Sequence, residues 1–277
     1  MINEKLDFCL EPDYLNNLAE KYHQKYVEAK PYPHIIIDNF LPERILDKIL
    51  DEFPSPQAEG WRRFERATEK KLDSLSELNM GEFTRFLLYQ LNSSIFIDFL
   101  EQLTGIQGII PDPHFQGGGL HQIERGGFLK IHVDFNKHKK MNVDRRLNLL
   151  IYLNKNWQEE YGGHFEMWDE KVTVCHEKIL PIFNRCVIFS TSDFSYHGHP
   201  DPLNCPEGMN RKSLALYYYS NGRPSEEVAI KQHSTLFQER PDENLTLEPS
   251  KVSKNNLIQK LVPPIMFDVY RNIFQNK

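Results

Sequence analysis

The feature that most restricts the fold of this chain is a His-x-Asp pair in a predicted strand, followed far along the sequence by further histidines. His132 and Asp134 are two residues apart at the end of the stretch Gly126–Asp134. Because side chains alternate across a strand, both would leave the same face. A neutral imidazole and a carboxylate on one face are metal ligands, and His197 from a distant strand would complete three. A fold that uses all three must bring two distant strands together.

Two histidines and one carboxylate with open coordination positions form the ligand set of non-haem Fe(II) oxygenases. Taken alone, His-x-Asp occurs by chance in many proteins, and His132 would then hydrogen-bond a neighbour while Asp134 starts a turn. The second block, from the predicted strand Arg185–Ser190 to His197, favours the metal site. The residues leave the distal ligand open, because His197 and His199 share one strand face.

A candidate carboxylate site follows His197. Arg211, fourteen residues later, opens an apolar strand, and Ser213 shares its strand face by the period of two. A guanidinium grips a carboxylate through two parallel hydrogen bonds, and a nearby hydroxyl suits the same ligand. Alternatively, Arg211 could form an ordinary surface ion pair, and the Ser213 hydroxyl could merely hydrogen-bond a backbone group. A metal triad beside such a clamp indicates a chelating diacid cosubstrate.

These residues resemble the Fe(II)- and 2-oxoglutarate-dependent dioxygenases, and most closely their prolyl 4-hydroxylase-like branch. The motifs that carry the resemblance are Gly-Gly-x-Leu-x-x-His-x-Asp, Tyr-His-Gly, Arg145–Asn154, Gly162-Gly163 and Arg211-x-Ser213, within roughly 117–221. The Tyr-His-Gly pattern favours His197 over His199. The chain departs from collagen-type prolyl hydroxylases at Leu129, where those enzymes tend to have Tyr, and at Arg211, where they use Lys. The resemblance therefore implies the reaction type more firmly than a prolyl substrate.

The resemblance also implies cofactors and a reaction. Fe(II) held by His132, Asp134 and His197 would keep three octahedral positions, two for 2-oxoglutarate and one for O2, with ascorbate as a candidate reductant. Decarboxylation of 2-oxoglutarate to succinate and CO2 would accompany hydroxylation of an unactivated C–H bond. The intact Asp134 favours hydroxylation, because iron halogenases of this type carry a small residue in place of the carboxylate. The cofactor performs the hard chemistry, and the protein positions and isolates it.

Four side chains are candidates for binding the cosubstrate. Arg211 and Ser213 would hold its far carboxylate. Asn148 and Tyr152 share a face of the predicted strand Arg146–Leu153, from which they could hydrogen-bond it. Core packing is an equally good interpretation of Tyr152, and the role of Asn148 stays open.

The pattern of segments predicts a mainly β fold with flanking helices, whose core is a double-stranded β-helix, the jelly roll of the cupins. Short apolar strands separated by Gly, Pro, Asn and Asp fill residues 106–230 at a density typical of that fold. The predicted strands are Phe128–Asp134, Arg146–Leu153, His164–Trp168, Arg185–Ser190 and Leu214–Tyr219. Residues 1–105 are predicted to be a mainly helical extension with one strand at Ile35–Ile37. Residues 231–277 are predicted to be a polar tail with a linker at Arg240–Asn256 and a short final helix. His138 is expected to be an exposed loop residue.

Composition limits the classes of partner. The 277 residues, 40% of them hydrophobic, can bury a sizeable core, and the net charge of −6 argues against nucleic acid. No segment approaches the roughly 20 apolar residues of a membrane span, and the first residues lack the pattern of a secretory signal. The four cysteines form no CxxC pair, so we expect reduced thiols in a cytoplasmic enzyme. The sequence determines neither the oligomeric state nor whether the substrate is a small molecule, an amino acid or a peptidyl residue.

Other classes of function stay open. A cupin-like metalloprotein could be an isomerase or a non-catalytic sensor, but it would not need a diacid clamp at Arg211 and Ser213. An interaction protein could keep the fold without turnover, which the intact ligand set disfavours. A hydrolase with zinc and water at the triad would be active without O2.

Overall fold

Helices come first along the chain and strands dominate its middle, as the sequence pattern predicts. The computed structural model describes residues 8–229, 232–241 and 243. These described residues contain four α-helices, namely α1 (Pro12–Glu28), α2 (Glu43–Asp51), α3 (Glu82–Leu91) and α4 (Ser94–Thr104). Within the described part of the chain, no helix combines the length and the apolar character needed to cross a membrane.

Local chemistry explains where these helices begin and end. Pro12 occupies the first turn of α1, where its missing N–H would have no helical partner anyway. Helix α4 ends at Gly105, whose φ of 75° lies in the left-handed region that glycine adopts freely. Ser93 occupies the position before α4, and its side chain makes no capping hydrogen bond.

Thirteen short strands form one antiparallel sheet in the described residues. They are β1 (His34–Ile37), β2 (Trp61–Glu65), β3 (Glu69–Ser74), β4 (Ile110–Pro111), β5 (Gly119–Ile123), β6 (Phe128–Val133), β7 (Asp144–Tyr152), β8 (Phe165–Trp168), β9 (Cys175–Ile179), β10 (Cys186–Ser190), β11 (His197–His199), β12 (Arg211–Ser220) and β13 (Leu236–Phe237). Their order is β1-β10-β7-β12-β5-β3-β6-β11-β8-β9, with β2, β4 and β13 paired to β3, β12 and β6. The sheet curls into a half-barrel, so that β7 and β12 from one half and β6 and β11 from the other line a single cavity. The predicted jelly-roll core is confirmed.

The main apolar core lies between the helices and one half of the sheet. Phe96 and Phe99 of α4 pack in the same cluster as Leu149 of β7, Ile188 of β10 and Leu216 of β12. Burial of each such side chain contributes about 1.5–3 kcal/mol relative to exposure. The helices therefore brace the outer face of the sheet and leave its inner face free to form the cavity.

The five strands predicted between residues 106 and 230 are all present, and their ends differ from the prediction by at most three residues. The predicted strand Ile35–Ile37 is also present, as part of β1. Its partner in the sheet is β10, with Ile36 opposite Val187. The apolar runs in these strands were a sufficient signal, because both faces of the central strands are buried.

The structure adds strands that apolar periodicity does not reveal. Strands β2 and β3 form a hairpin inside the extension that the sequence predicts as mainly helical, and β3 pairs with both β5 and β6. The hairpin is rich in charged residues, such as Arg62, Arg63 and Lys70, so apolar alternation is weak there. Strand β13, from the predicted tail, pairs with β6. Strands from outside residues 106–230 thus join the sheet.

Two further predictions concern loops and the tail. The prediction that His138 is exposed is wrong, because its side chain is buried. Its Nε2 lies 3.2 Å from Oδ1 of Asp112, and its Nδ1 accepts hydrogen bonds from the backbone N–H groups of Lys140 and Met141. His138 therefore links the loop after β6 to Asp112, which directly follows β4. The short final helix and the predicted linker beyond residue 243 lie outside the described residues.

Candidate active site

His132, Asp134 and His197 meet on the wall of this cavity. Strands β6 and β11 are neighbours, and His132 stands opposite His197 in their register. The Nε2 atom of His132 lies 3.6 Å from Oδ1 of Asp134, and Nε2 of His197 lies 3.3 Å from Oδ2. One donor atom from each residue falls within 4.8 Å of the other two. This convergence of two imidazoles and one carboxylate fits a single metal ion.

The two imidazoles are oriented by the backbone. Nδ1 of His132 lies 2.8 Å from the carbonyl oxygen of Lys130, and Nδ1 of His197 lies 2.8 Å from that of Ser195. Because a carbonyl oxygen can only accept, each Nδ1 carries the proton and donates it. Each Nε2 then keeps its lone pair toward Asp134, as a metal ligand requires.

The pairing of β11 with β6 puts His197, rather than His199, opposite His132. A Cβ at position 198 would lie 2.7 Å from the carbonyl oxygen of Leu129 and 2.9 Å from that of Lys130, so only glycine lets β11 approach β6 this closely. A register shift follows, and His199 stands opposite Leu129. The structure therefore places His197 beside Asp134 and His199 farther along the cavity wall.

Two side chains of the β7 segment hold the Asp134 carboxylate. Asn148 donates from Nδ2 to Oδ2 of Asp134 at 2.7 Å, and Nη2 of Arg145 lies 3.1 Å from the same oxygen. Arg145 also donates from Nε to Oδ1 of Asn148 at 2.9 Å. Its buried guanidinium carbon lies 3.5 Å from the ring centroid of Tyr217 and 4.5 Å from that of Phe135. Arg145 and Asn148 thus fix both the charge and the direction of Asp134.

The electrostatics keep Asp134 ionised. Burial raises the pKa of this carboxyl group, but Arg145 and His197 lower it by more, so that the pKa lies well below its ordinary value. Burial lowers the pKa of the Arg145 guanidinium, but Asp134 together with Tyr217 and Tyr219 outweighs it, so that this pKa is raised. An ionised carboxylate is the form that binds a metal. Arg145 had no predicted role beyond its place in the motif Arg145–Asn154, because its charge lies between those of Asp144 and Arg146 at the start of β7.

Replacing Asn148 with alanine is expected to weaken Fe(II) binding by about 10- to 100-fold, because a partner that orients a ligand is lost. Titration with Fe(II) under anaerobic conditions measures this change. Tyr152→Phe is the matched control, since Tyr152 shares the strand face of Asn148, and its hydroxyl contacts Arg211 instead of Asp134. Unchanged Fe(II) affinity in Asn148→Ala would show that Arg145 alone positions the carboxylate.

Arg211 lines the same cavity as a buried cation. It donates from Nε to the carbonyl oxygen of Gly163 at 2.9 Å, and its Nη2 lies 3.4 Å from the hydroxyl of Tyr152. Both partners are neutral, and only 4% of Arg211 is exposed. Burial lowers the pKa of Arg211 from its high ordinary value. The interpretation of Arg211 as a surface ion pair is therefore wrong, and a buried guanidinium with neutral partners suits an anionic ligand.

One cavity contains both the His-Asp-His cluster and Arg211. Its wall includes the His-Asp-His cluster, Asn148, Arg211 and Ser213, together with apolar side chains such as Leu150 and Phe189. Tyr152 is buried behind Arg211 and is not among the described residues that line the cavity. Asn148, which the sequence suggested as a contact of the cosubstrate, lines the cavity and donates to Asp134.

Sequence reasoning missed several residues of the cavity wall. Lys71 comes from the hairpin β2–β3, and Tyr217 comes from β12. His121 of β5 is held by the carbonyl oxygen of Gly117 at 2.9 Å. Burial, with a smaller contribution from Lys71, lowers the pKa of His121 to about 4, so this imidazole is neutral at pH 7. No local pattern marks these residues, because long-range strand pairing brings them to the cavity.

Comparisons with known proteins agree with this geometry. Residues 118–219 match the model of the 2OG-Fe(II) oxygenase superfamily. The chain is similar in structure to a prolyl-4-hydroxylase from Pseudomonas putida, with 17% sequence identity, a TM-score of 0.53, and coverage of 74% of this chain and 100% of that chain. It is also similar to a prolyl hydroxylase from Trichoplax adhaerens, solved in complex with a peptide fragment of the hypoxia inducible factor oxygen degradation domain. That match has 18% identity, a TM-score of 0.54, and coverage of 75% and 91%. No curated protein matches the sequence.

The family match and the structural matches bear on different properties. At these identities the solved structures show the fold, which is the jelly roll described above. The family match spans the segment from Gly118 to Tyr219, which includes the His-Asp-His cluster and Arg211. Fe(II), 2-oxoglutarate and O2 are the cofactors and cosubstrates of this superfamily, and the donor set fits the metal. The segment 118–219 therefore matches the 2OG-Fe(II) oxygenase superfamily, which supports a 2-oxoglutarate-dependent dioxygenase, and the fold is prolyl hydroxylase-like.

Proposed function

We propose that this dioxygenase hydroxylates an unactivated C–H bond, with His132, Asp134 and His197 as the Fe(II) ligands and Arg211 as the anchor of the cosubstrate. The observation that carries the proposal is the single cavity whose wall contains both the His-Asp-His cluster and a buried guanidinium. A 2-oxo diacid has the matching chemistry, because its keto acid end chelates a metal and its far end is a carboxylate.

The residues of the chain account for how the cosubstrate is held. Three protein ligands leave three positions of an octahedral ion for other ligands. When bound, Fe(II) with 2-oxoglutarate and O2 supplies the oxidation, in which 2-oxoglutarate is decarboxylated to succinate and CO2 as a hydroxyl group is installed on the substrate. Arg211 donates to the far carboxylate, and Ser213, on the same face of β12, lines the cavity beside it. Apolar walls at Leu150, Phe165 and Phe189 keep water from the centre.

The geometry of the ligands bears on the type of reaction. Asp134 stands in the cluster with its carboxylate held by Arg145 and Asn148, so a protein ligand takes up the position that a halide would need. This supports hydroxylation over halogenation. The substrate we propose is a prolyl residue of a peptide, a free amino acid or a small molecule. The Trichoplax adhaerens relative in complex with a peptide fragment supports the inclusion of peptides.

We also propose a cytoplasmic location. The four cysteines are free thiols, with Cys186 and Cys205 buried in the core, and burial raises the pKa of both. Structural thiols of this kind fit a reducing compartment, which also supplies 2-oxoglutarate. Ascorbate is a candidate reductant for keeping the iron in its Fe(II) state.

The decisive experiment combines metal and cosubstrate without oxygen. The purified chain, loaded with Fe(II) and mixed anaerobically with 2-oxoglutarate, is expected to show a weak visible charge-transfer band from the chelate. Admission of air should then couple O2 consumption to succinate release, and candidate substrates are ranked by how much they accelerate it. Iron binding without the band would contradict the diacid assignment and favour a cupin-like isomerase or sensor. Turnover of a substrate without O2 would favour a hydrolase.

A further inference from the structure

His199 is a buried polar side chain of the cavity that the roles given above do not include. Only 3% of the residue is exposed, and neither ring nitrogen has a hydrogen-bond partner among the described residues. The side chain nevertheless lines the same cavity as Arg211 and the His-Asp-His cluster. An imidazole always has at least one N–H, and leaving that donor buried without a partner costs free energy. Such a cost is offset when a polar ligand arrives.

The position of His199 follows from the way β11 pairs with β6. His197 and His199 are two residues apart and face the same side of the strand, and Gly198 lets the strand lie against the carbonyl oxygens of Leu129 and Lys130. His197 is in the metal cluster and His199 is outside it. The imidazole of His199 is thus held on the cavity wall, next to the metal ligand but not part of the ligand set.

The surroundings of His199 indicate the charge of its partner. The titratable groups that act on it electrostatically are, in order of strength, Arg211, Lys71, His132 and His121. Two of these groups, Arg211 and Lys71, are cations, whereas the buried His121 is neutral at pH 7. Arg211 and Lys71 are cations that line the same cavity as His199, so donors and positive charge share its wall. An anion with several acceptor lone pairs matches this arrangement.

We propose that His199 donates a hydrogen bond to the distal carboxylate of 2-oxoglutarate, together with Arg211. This inference rests on the proposed function, since it assigns a further contact of the same cosubstrate. A carboxylate has two oxygens and about four lone-pair sites, so it can accept from both the guanidinium and the imidazole. His199 is accordingly a residue that helps to select a diacid over a monoacid.

The test compares two cosubstrates that differ only at the far end. 2-Oxopentanoate keeps the keto acid of 2-oxoglutarate and replaces the distal carboxylate with a methyl group. Dissociation constants of both are measured by anaerobic titration of the Fe(II)-loaded chain. In His199→Leu, binding of 2-oxoglutarate should weaken by about tenfold or more, equivalent to about 1.4 kcal/mol. Binding of 2-oxopentanoate should change by much less.

Conservative variants supply the control. The amide of His199→Asn reaches about as far as Nδ1, and that of His199→Gln about as far as Nε2, so one of them should recover most of the affinity for 2-oxoglutarate. Fe(II) stoichiometry and melting temperature are measured in every variant, because a role in metal binding or packing would change these values. Equal weakening of both cosubstrates in His199→Leu, or no weakening of either, would overturn the proposal.

A second measurement does not depend on whether the leucine variant folds. In the wild-type chain labelled with ¹⁵N-histidine and loaded with Zn(II), the N–H signal of His199 should shift when 2-oxoglutarate binds and shift far less with 2-oxopentanoate. His199→Gln assigns that signal. The same shift with both cosubstrates would overturn the role at the distal carboxylate. Failure of the wild-type chain to bind 2-oxoglutarate at all is recognisable separately, and it would overturn the proposed function as well.

Discussion

Asp134→Ala is expected to abolish turnover while the fold is retained. The substitution removes the only carboxylate of the His-Asp-His cluster. Loss of a residue that merely orients a metal ligand lowers activity by about 10- to 100-fold, and loss of the ligand itself should lower activity by more. Succinate release coupled to substrate turnover measures the loss, and anaerobic Fe(II) titration shows how much of it comes from metal binding.

The control for this prediction concerns Arg145. Removing Asp134 leaves that buried guanidinium without its carboxylate, and breaking a buried ion pair is strongly destabilising. Asp134→Asn keeps an oxygen that can accept from Arg145, so its melting temperature should stay closer to that of the wild type, although activity is lost. Full activity in either variant with iron still bound would show that Asp134 is not a ligand.

Arg211→Ala is expected to raise the apparent KM for 2-oxoglutarate far more than the KM for the substrate. A charge-assisted hydrogen bond contributes about 1.5–3 kcal/mol, which corresponds to a change on the order of 10- to 100-fold. Initial rates with each cosubstrate varied in turn measure the two constants. The buried position of Arg211 and its neutral partners Gly163 and Tyr152 are the basis of the prediction.

Two variants refine the Arg211 prediction. Arg211→Lys keeps the charge but loses the planar pair of donors, so its KM for 2-oxoglutarate should lie between those of the wild type and the alanine variant. Ser213→Ala should have a smaller effect, because it removes one neutral hydroxyl from the cavity wall. If Arg211→Ala leaves the dependence on 2-oxoglutarate unchanged, the carboxylate binds elsewhere.

Much of the fold could be predicted because its signals are local. The apolar runs of β7, β10 and β12 mark strands that are buried on both faces, and the turn residues between them mark the ends. The hairpin β2–β3 gave no such signal, since its charged side chains carry little apolar alternation. Its existence depends on the pairing of β3 with β5 and β6, which only a folded sheet provides.

The residues of the candidate site likewise divide into those that local sequence patterns could predict and those that they could not. His132 and Asp134 could be paired from their spacing, because alternation along one strand is a local property. The contact of Asn148 with Asp134 could not be predicted, since Asp134 lies on another segment of the chain, and Arg145, the second partner of Asn148, lies three residues earlier on β7. His138 was expected in solvent for a similar reason, because its partner Asp112 is distant in the sequence.

By itself, the sequence determined which chemical groups are present and which neighbours along a strand share a face, and this was enough to predict a jelly roll with an iron site and a carboxylate anchor. Only the tertiary structure decided that His197 rather than His199 meets Asp134, that Arg145 and Asn148 hold that carboxylate, and that Arg211 is buried with neutral partners. The physical reason is that spacing within a strand follows from covalent geometry, whereas register between distant strands depends on the packing of the whole sheet.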